Sequence, residues 1–260
     1  MLVLLAFYLY PIARLAVMSV GGADPGLGAY AGLARNDLFL SIALRTFRIS
    51  VAVTLSCLVA GFPVAYLLTR VGPRMAAVLM IAILLPFWTS ILVRTYAWMV
   101  LLQGSGLLNK ALVGTGIITT PLRLMYNEIG VTIGMVQILL PFAILPIYAS
   151  LQNIDPRLSL AAQVLGASAW KRFWNVTLPL SLPGVAAAAI LVFVQGLGYF
   201  VTPALLGGSR VITLAMFIES QVTETLAWQS ASAIAIVLLI VCVTIVAGFE
   251  RVLGLERVWR

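Results

Sequence analysis

Little in this 260-residue sequence could make or break a covalent bond. Histidine is absent, acidic residues number eight, and the two cysteines, Cys57 and Cys242, sit inside apolar runs. Imidazole is therefore missing from acid–base work and metal binding, and the cysteines read as packing residues rather than a disulfide. Nothing resembles a GxxxxGK[ST] loop that would cradle phosphate. The groups left are polar or aromatic side chains in apolar surroundings. An amide or hydroxyl in such a place is costly unless it faces a cavity or a partner helix. Gln137, Gln195 and Tyr199, with Ser56 and Tyr66, are thus candidates to line a path, or equally to make interhelical packing contacts. Trp88, Tyr96 and Trp98 have the ring faces to stack on a cation, or to sit as aromatic belt residues. One stretch stands apart for its spacing: "LAAQVLGASAWKRFWNVTLPLSLPG", residues 160 to 184.

The elements that must position these residues follow from composition. Charged residues make up 9% of the chain and mean hydropathy is +1.11, whereas soluble domains carry roughly a quarter charged residues. Such a chain cannot be wetted without exposing apolar surface at about 25 cal/mol per Å². It is a membrane protein, predicted to be all-α. A net charge of +8 does not point to nucleic acid, because the basic residues are scattered singly with no Lys/Arg-rich run.

A helix needs about 20 apolar residues to cross the hydrocarbon core. Six stretches qualify within a single domain over 1–260: residues 1–20, 49–69, 75–93, 129–151, 183–201 and 231–249. Of these, the first alone holds a charge, Arg14, close enough to an end to snorkel. That stretch is expected to be retained, with a cleaved signal peptide as the alternative. Residues 211–218 stop at Glu219, too short to span, and are predicted as a short interfacial helix. Residues 103–128 are predicted to form a folded outer loop with a helical turn or two. The basic residues do not set the orientation. Arg70, Arg74, Arg157, Lys171, Arg172, Arg251, Arg257 and Arg260 lie on one side. Arg35, Arg45, Arg48, Arg94, Lys110, Arg123 and Arg210 lie on the other, with Arg14 near that edge, and this division is even by the positive-inside rule.

Residues 155–180 read as a bent peg. Asp155 and Pro156 start a helix, Gly166 ends it in the left-handed conformation, and Ser168 caps the next. In that second arm Trp170, Phe173 and Trp174 fall at helical spacing around Lys171 and Arg172, and "TLPLSLPG" is predicted to stop it before the fifth span. A compact elbow with small residues, aromatic knobs and a basic edge suits a groove of another protein. An interfacial helix anchored by its tryptophans is the alternative.

The spacing resembles the cytoplasmic EAA loop of permease subunits in binding-protein-dependent ABC importers. Ala161 and Ala162 match the alanines of that loop, Gly166 the glycine, Val176 the usual Ile, and Leu178-Pro179 the close; Leu160 replaces the usual Glu. Three further stretches, "ALRTFRISVAVTLSCLVAGFPVAYLLTR", "LLPFWTSILVRTYAWMVLLQGSGLLNKAL" and "YFVTPALLGGSRVITLAMFIESQV", resemble the branch that moves spermidine and putrescine. The resemblance implies a type I importer permease (MetI-like) in a bacterial inner membrane, with both termini cytoplasmic. It implies a coupling loop that includes Ala161, Ala162, Gly166, Ala167, Ser168, Leu178 and Pro179. It also implies two ATP-binding subunits that hold ATP and Mg, a sister permease, a periplasmic solute-binding protein, and no cofactor in this chain. A polyamine would seek Glu128, Glu219 and Glu224 in outer loops, because no acid lies within a span. Other cargoes of the same machinery are ferric iron, an amino-acid derivative or an opine. A secondary transporter would show intramembrane acids and inverted repeats, and a membrane enzyme would show catalytic groups in its spans.

Overall fold

The computed structural model describes residues 2–21 and 26–253; Asp24, Arg257 and Arg260 lie outside them. Among the described residues the regular elements are helices, as lipid demands of a backbone that must satisfy its own hydrogen bonds. In chain order they are α1 (Leu2–Val20), α2 (Gly28–Ala34), α3 (Asp37–Leu68), α4 (Pro73–Leu84), α5 (Ile91–Leu102), α6 (Leu107–Gly114), α7 (Glu128–Gln152), α8 (Pro156–Val164), α9 (Ala169–Arg172), α10 (Leu178–Leu197), α11 (Leu214–Thr223) and α12 (Trp228–Leu253).

The bundle is built around a seam where α3, α7 and α10 pack together. Val53, Cys57, Ala65, Val131, Leu139, Ala143, Ile147, Ala188 and Val192 are fully buried there. Apolar burial gives helices little reason to associate inside lipid, so close backbone approach through small residues must do it. Gly184 shows this: a Cβ there would meet the Pro146 carbonyl oxygen at 2.6 Å and collide with the Ser150 side chain. Gly61 packs closely too, but a Cβ there would only touch the side chains of Ala143 and Ile144, both at 3.4 Å. A second, smaller cluster joins Leu33, Phe39, Ile42, Leu214, Ala233 and Ile234 from α2, α3, α11 and α12. Both cysteines are free.

Five helical stretches among the described residues are long and apolar enough to cross a membrane: 37–68, 91–114, 128–152, 169–197 and 228–249. Several boundaries differ from the sequence expectation for physical reasons. The second span begins at Asp37 rather than 49, because Asn36 caps the helix, its side-chain oxygen accepting from the amides of Leu38 at 3.0 Å and Phe39 at 3.2 Å. The predicted span 75–93 is not one helix. Pro86 has no amide and its ring crowds the carbonyl four residues back, so α4 tightens into a 3₁₀ turn at Leu85–Trp88 and the chain is extended at Thr89 before α5. The expected helix at 211–218 lies instead at Leu214–Thr223, running through Glu219. Its first amide, Leu214, donates to the Thr46 hydroxyl at 2.9 Å, docking it on α3. The expected outer loop 103–128 begins too early, because α6 belongs to the apolar stretch 91–114; the segment after α5 is knitted by buried Asn109. The side-chain amide of Asn109 donates to the carbonyls of Gln103 and Leu122, and its oxygen accepts from the Leu122 amide at 2.8 Å.

Candidate coupling elbow and polar path

The elbow at one end of the bundle is built by local backbone chemistry. Asp155 accepts from the Arg157 amide at 2.8 Å, with Pro156 in the first turn of α8. At the far end Gly166 adopts φ +81°. Its amide donates to the Gln163 carbonyl at 2.9 Å, and the Ala167 amide donates to Ala162 at 2.9 Å. That pair of bonds is the Schellman motif, which satisfies carbonyls the helix end would otherwise orphan. No atom lies within 4 Å of a Cβ built on Gly166, so the demand for glycine here is purely one of backbone conformation. Ser168 then caps α9, its hydroxyl accepting from the Lys171 amide at 3.3 Å.

The second arm does not stop where the prolines of "TLPLSLPG" led us to expect. Helix continues from α9 through a π turn, Phe173–Thr177, into α10, giving one helical run over 169–197. The Leu178 amide donates to the Phe173 carbonyl five residues back. Widening the turn there makes room for Pro179, whose missing amide and ring would otherwise disrupt an α-helical turn. The elbow is therefore in covalent helical continuity with a core helix.

Two contacts lock the elbow's geometry. Arg172 Nη1 donates to Gln163 Oε1 at 2.8 Å, tying one arm to the other. Phe173 turns inward and meets Phe62 and Tyr66 of α3 edge-on, with ring centroids 5.8 and 5.7 Å apart. Of the three aromatic knobs predicted from the sequence, one is thus a pin to the bundle. Trp170 and Trp174 stay exposed. So do Val164 and Leu165 at the bend, each 87% exposed, a high figure for branched aliphatic side chains next to a charged edge. Leu160, Ala161, Ser168 and Pro179 are exposed, whereas Ala162, Ala167, Val176 and Leu178 are half-buried.

Behind the elbow lies a cavity of about 1070 Å³ between α8, the end of α3, the start of α4 and the end of α7. Tyr66, expected on the path, lines this cavity instead. Its hydroxyl accepts from Arg70 at 2.6 Å while the Arg70 guanidinium lies 4.8 Å from its ring centre.

The path candidates separate into two groups. Trp98 on α5 donates to Gln137 on α7 at 3.4 Å. One turn away, Thr95 and Thr202, both fully buried, approach to 3.5 Å between hydroxyls. Tyr199, three residues before Thr202, lies within electrostatic reach of Arg94. Arg94 itself holds a buried Nε without a partner. Sequence reasoning missed Arg94, Thr95 and Thr202; the helical spacing of Arg94 and Thr95 with Trp98 was the available signal. Gln195 is half-buried and joins neither contact, and Ser56 faces outward. Trp88 is 91% exposed, and Tyr96 is exposed; two residues from Trp98 on a helix, it points to another side. The three aromatics do not form one stacking site.

Glu128 is not free to attract a cation. At the end opposite the elbow it pairs with Arg48 and lies 3.6 Å from Arg45 Nε, while Arg45 also donates to the Arg210 carbonyl at 3.2 Å. Glu219 and Glu224 remain exposed. Among the described residues no group of three or more potential metal ligands forms.

The described chain is thus a polytopic helical bundle with a locked, apolar-tipped elbow at one end. Residues 59–254 match the family of binding-protein-dependent transport system inner membrane components, and the chain belongs to that family. It is 36% identical over 216 residues to the spermidine/putrescine transport system permease protein PotB of Haemophilus influenzae, covering 83% of this chain and 76% of that one. PotB of Escherichia coli K12 is 35% identical over 206 residues, 79% of this chain and 75% of the relative. Among solved structures, a bacterial ABC transporter involved in import of the acidic polysaccharide alginate superposes with a TM-score of 0.78 at 18% identity, covering 96% of this chain and 91% of that one. That likeness shows the fold; the family match and the PotB relatives make the chain a multi-pass inner-membrane permease of an ABC importer.

Proposed function

We propose that this chain is one permease subunit of an importer for a polyamine of the spermidine/putrescine class, and that residues 155–180 couple it to an ATPase. The substrate reading is supported by the likeness to the two PotB permeases over about four-fifths of the chain. The coupling reading is carried by one observation: Val164 and Leu165 are displayed to solvent at the tip of an elbow locked to the core.

Covering those two side chains in a socket would be worth about 1.5–3 kcal/mol each, enough to hold a lever. A push on the tip passes along the Arg172–Gln163 bond into the second arm, through the unbroken run 169–197 into α10, and through Phe173 into α3. Tilting two of the three seam helices opens and closes the path, an alternating-access step driven by a two-state element. ATP and Mg belong to the two partner ATPases. The elbow end and both termini face the cytoplasm, and a sister permease completes the path, fed by a periplasmic binding protein. With Glu128 neutralised and no acid in the seam, recognition of the cation falls to the receptor and to the sister subunit.

A second reading, an anionic cargo, rests on half-buried Arg94, whose Nε has no partner and whose charge reaches Tyr199. One assay separates them. In cells lacking other polyamine importers, the complete transporter should accumulate labelled spermidine or putrescine. Uptake of an oxyanion instead, with no polyamine uptake, would establish the second reading.

A further inference from the structure

We propose that the cavity behind the elbow binds the headgroup of an anionic phospholipid, with the acyl chains running along α4. This rests on the elbow end facing the cytoplasm, the leaflet side where anionic lipids set a negative surface potential.

The lining is positive. Arg70 and Arg172 both face the cavity, and Asp155 supplies its one carboxylate, already engaged as the acceptor that caps α8. A guanidinium carries five donors. Arg172 uses Nη1 on Gln163, and its Nε is buried without a partner. Arg70 uses Nη2 on the Tyr66 hydroxyl. The Thr69 hydroxyl is already committed to the Tyr66 carbonyl, but the remaining accessible donors of both arginines, with the hydroxyls of Ser159 and Thr177, surround a space of about 1070 Å³. That set matches a phosphodiester, which guanidinium groups bind in a planar fork, and it repels a polyamine.

The opposite wall is apolar and small: Pro73, Ala76, Ala77 and Met80 of α4. No residue of α4 is fully buried: one face leans on the core through Leu79 and Ile83, the other is open to the bilayer, and its first turns border the cavity. A headgroup seated there bridges the end of α3, through Arg70, to the elbow, through Arg172. It would stiffen the joint that the lever turns on.

The test is native mass spectrometry of the complete transporter, after exchange into detergent with added phosphatidylglycerol or phosphatidylcholine. The wild type should retain phosphatidylglycerol at least about tenfold over phosphatidylcholine, as two charge contacts allow. R70Q/R172Q should lose that preference, while R70K/R172K, which preserves the charge, should keep most of it and exclude misfolding as the cause. Equal retention of the two lipids, or a preference unchanged in R70Q/R172Q, overturns the proposal. Full displacement of phosphatidylglycerol by millimolar glycerol 1-phosphate overturns it as well, in favour of a soluble anion. Spermidine uptake is measured separately, so failure of the substrate reading leaves this outcome readable.

Discussion

α10 and the α4–α5 crossing both meet prolines, and they respond in opposite ways. Helix continues past Pro179 and Pro183 to Leu197, whereas α4 gives way at Pro86 and restarts only at Ile91. Local propensity treats these prolines alike. Packing does not. α10 lies in the seam, with Gly184 against the α7 backbone and Ala188 and Val192 fully buried; α4 has no fully buried residue and only leans on the core through Ala76, Leu79, Met80 and Ile83. In the packed run Pro179 is absorbed by a π turn and Pro183 within the α-helix itself, whereas Pro86, on a helix with no fully buried residue, ends α4. The stiff member is also the one continuous with the elbow, which is what transmission of force requires.

The contrast can be broken most severely at Gly184. Gly184→Leu drives a side chain into the Pro146 carbonyl and Ser150, and should cost about 3 kcal/mol, seen as loss of the folded permease in a detergent thermal melt. Gly72→Ala before α4, where no atom lies within 4 Å, should leave the melt unchanged. Phe173→Ala removes the pin to α3. It should cost about 2 kcal/mol, less than for a fully buried phenylalanine, and should lower uptake while the ATPase still copurifies. Gly166→Val places a branched residue at φ +81°, a cost of about 1–2 kcal/mol. It should abolish uptake with insertion intact, and Gly166→Asn should retain more activity because Asn tolerates that conformation. Least of all, Pro86→Ala should change stability by under about 1 kcal/mol and raise amide protection over residues 85–90 in hydrogen exchange. Unchanged exchange there would show that something other than the proline breaks α4.

The elbow was legible in the sequence because its determinants are local. Asp155-Pro156, Gly166 and Ser168 each act within four residues of themselves, and the structure places each in the role its type predicts. The continuity of α10 was not legible, because Pro179 reads as a stop until the widened turn and the seam around it are known. Nor was the fate of Glu128, whose partner Arg48 is 80 residues away in sequence, nor the inward turn of Phe173, which depends on Phe62 and Tyr66 of another helix. Hydropathy found the apolar stretches but could not see that Asn36 extends α3 or that Pro86 divides the third.

The coupling role of the elbow tip is tested most directly by placing a cysteine at Leu165 in a chain carrying Cys57→Ala and Cys242→Ala, and treating membranes that contain the whole transporter with a short thiol–amine cross-linker. The tip should join covalently to the ATPase subunit and resist a membrane-impermeant thiol reagent applied from the periplasmic side. Labelling of that cysteine from the periplasm, or a tip that never joins the ATPase, would contradict the lever and the orientation together.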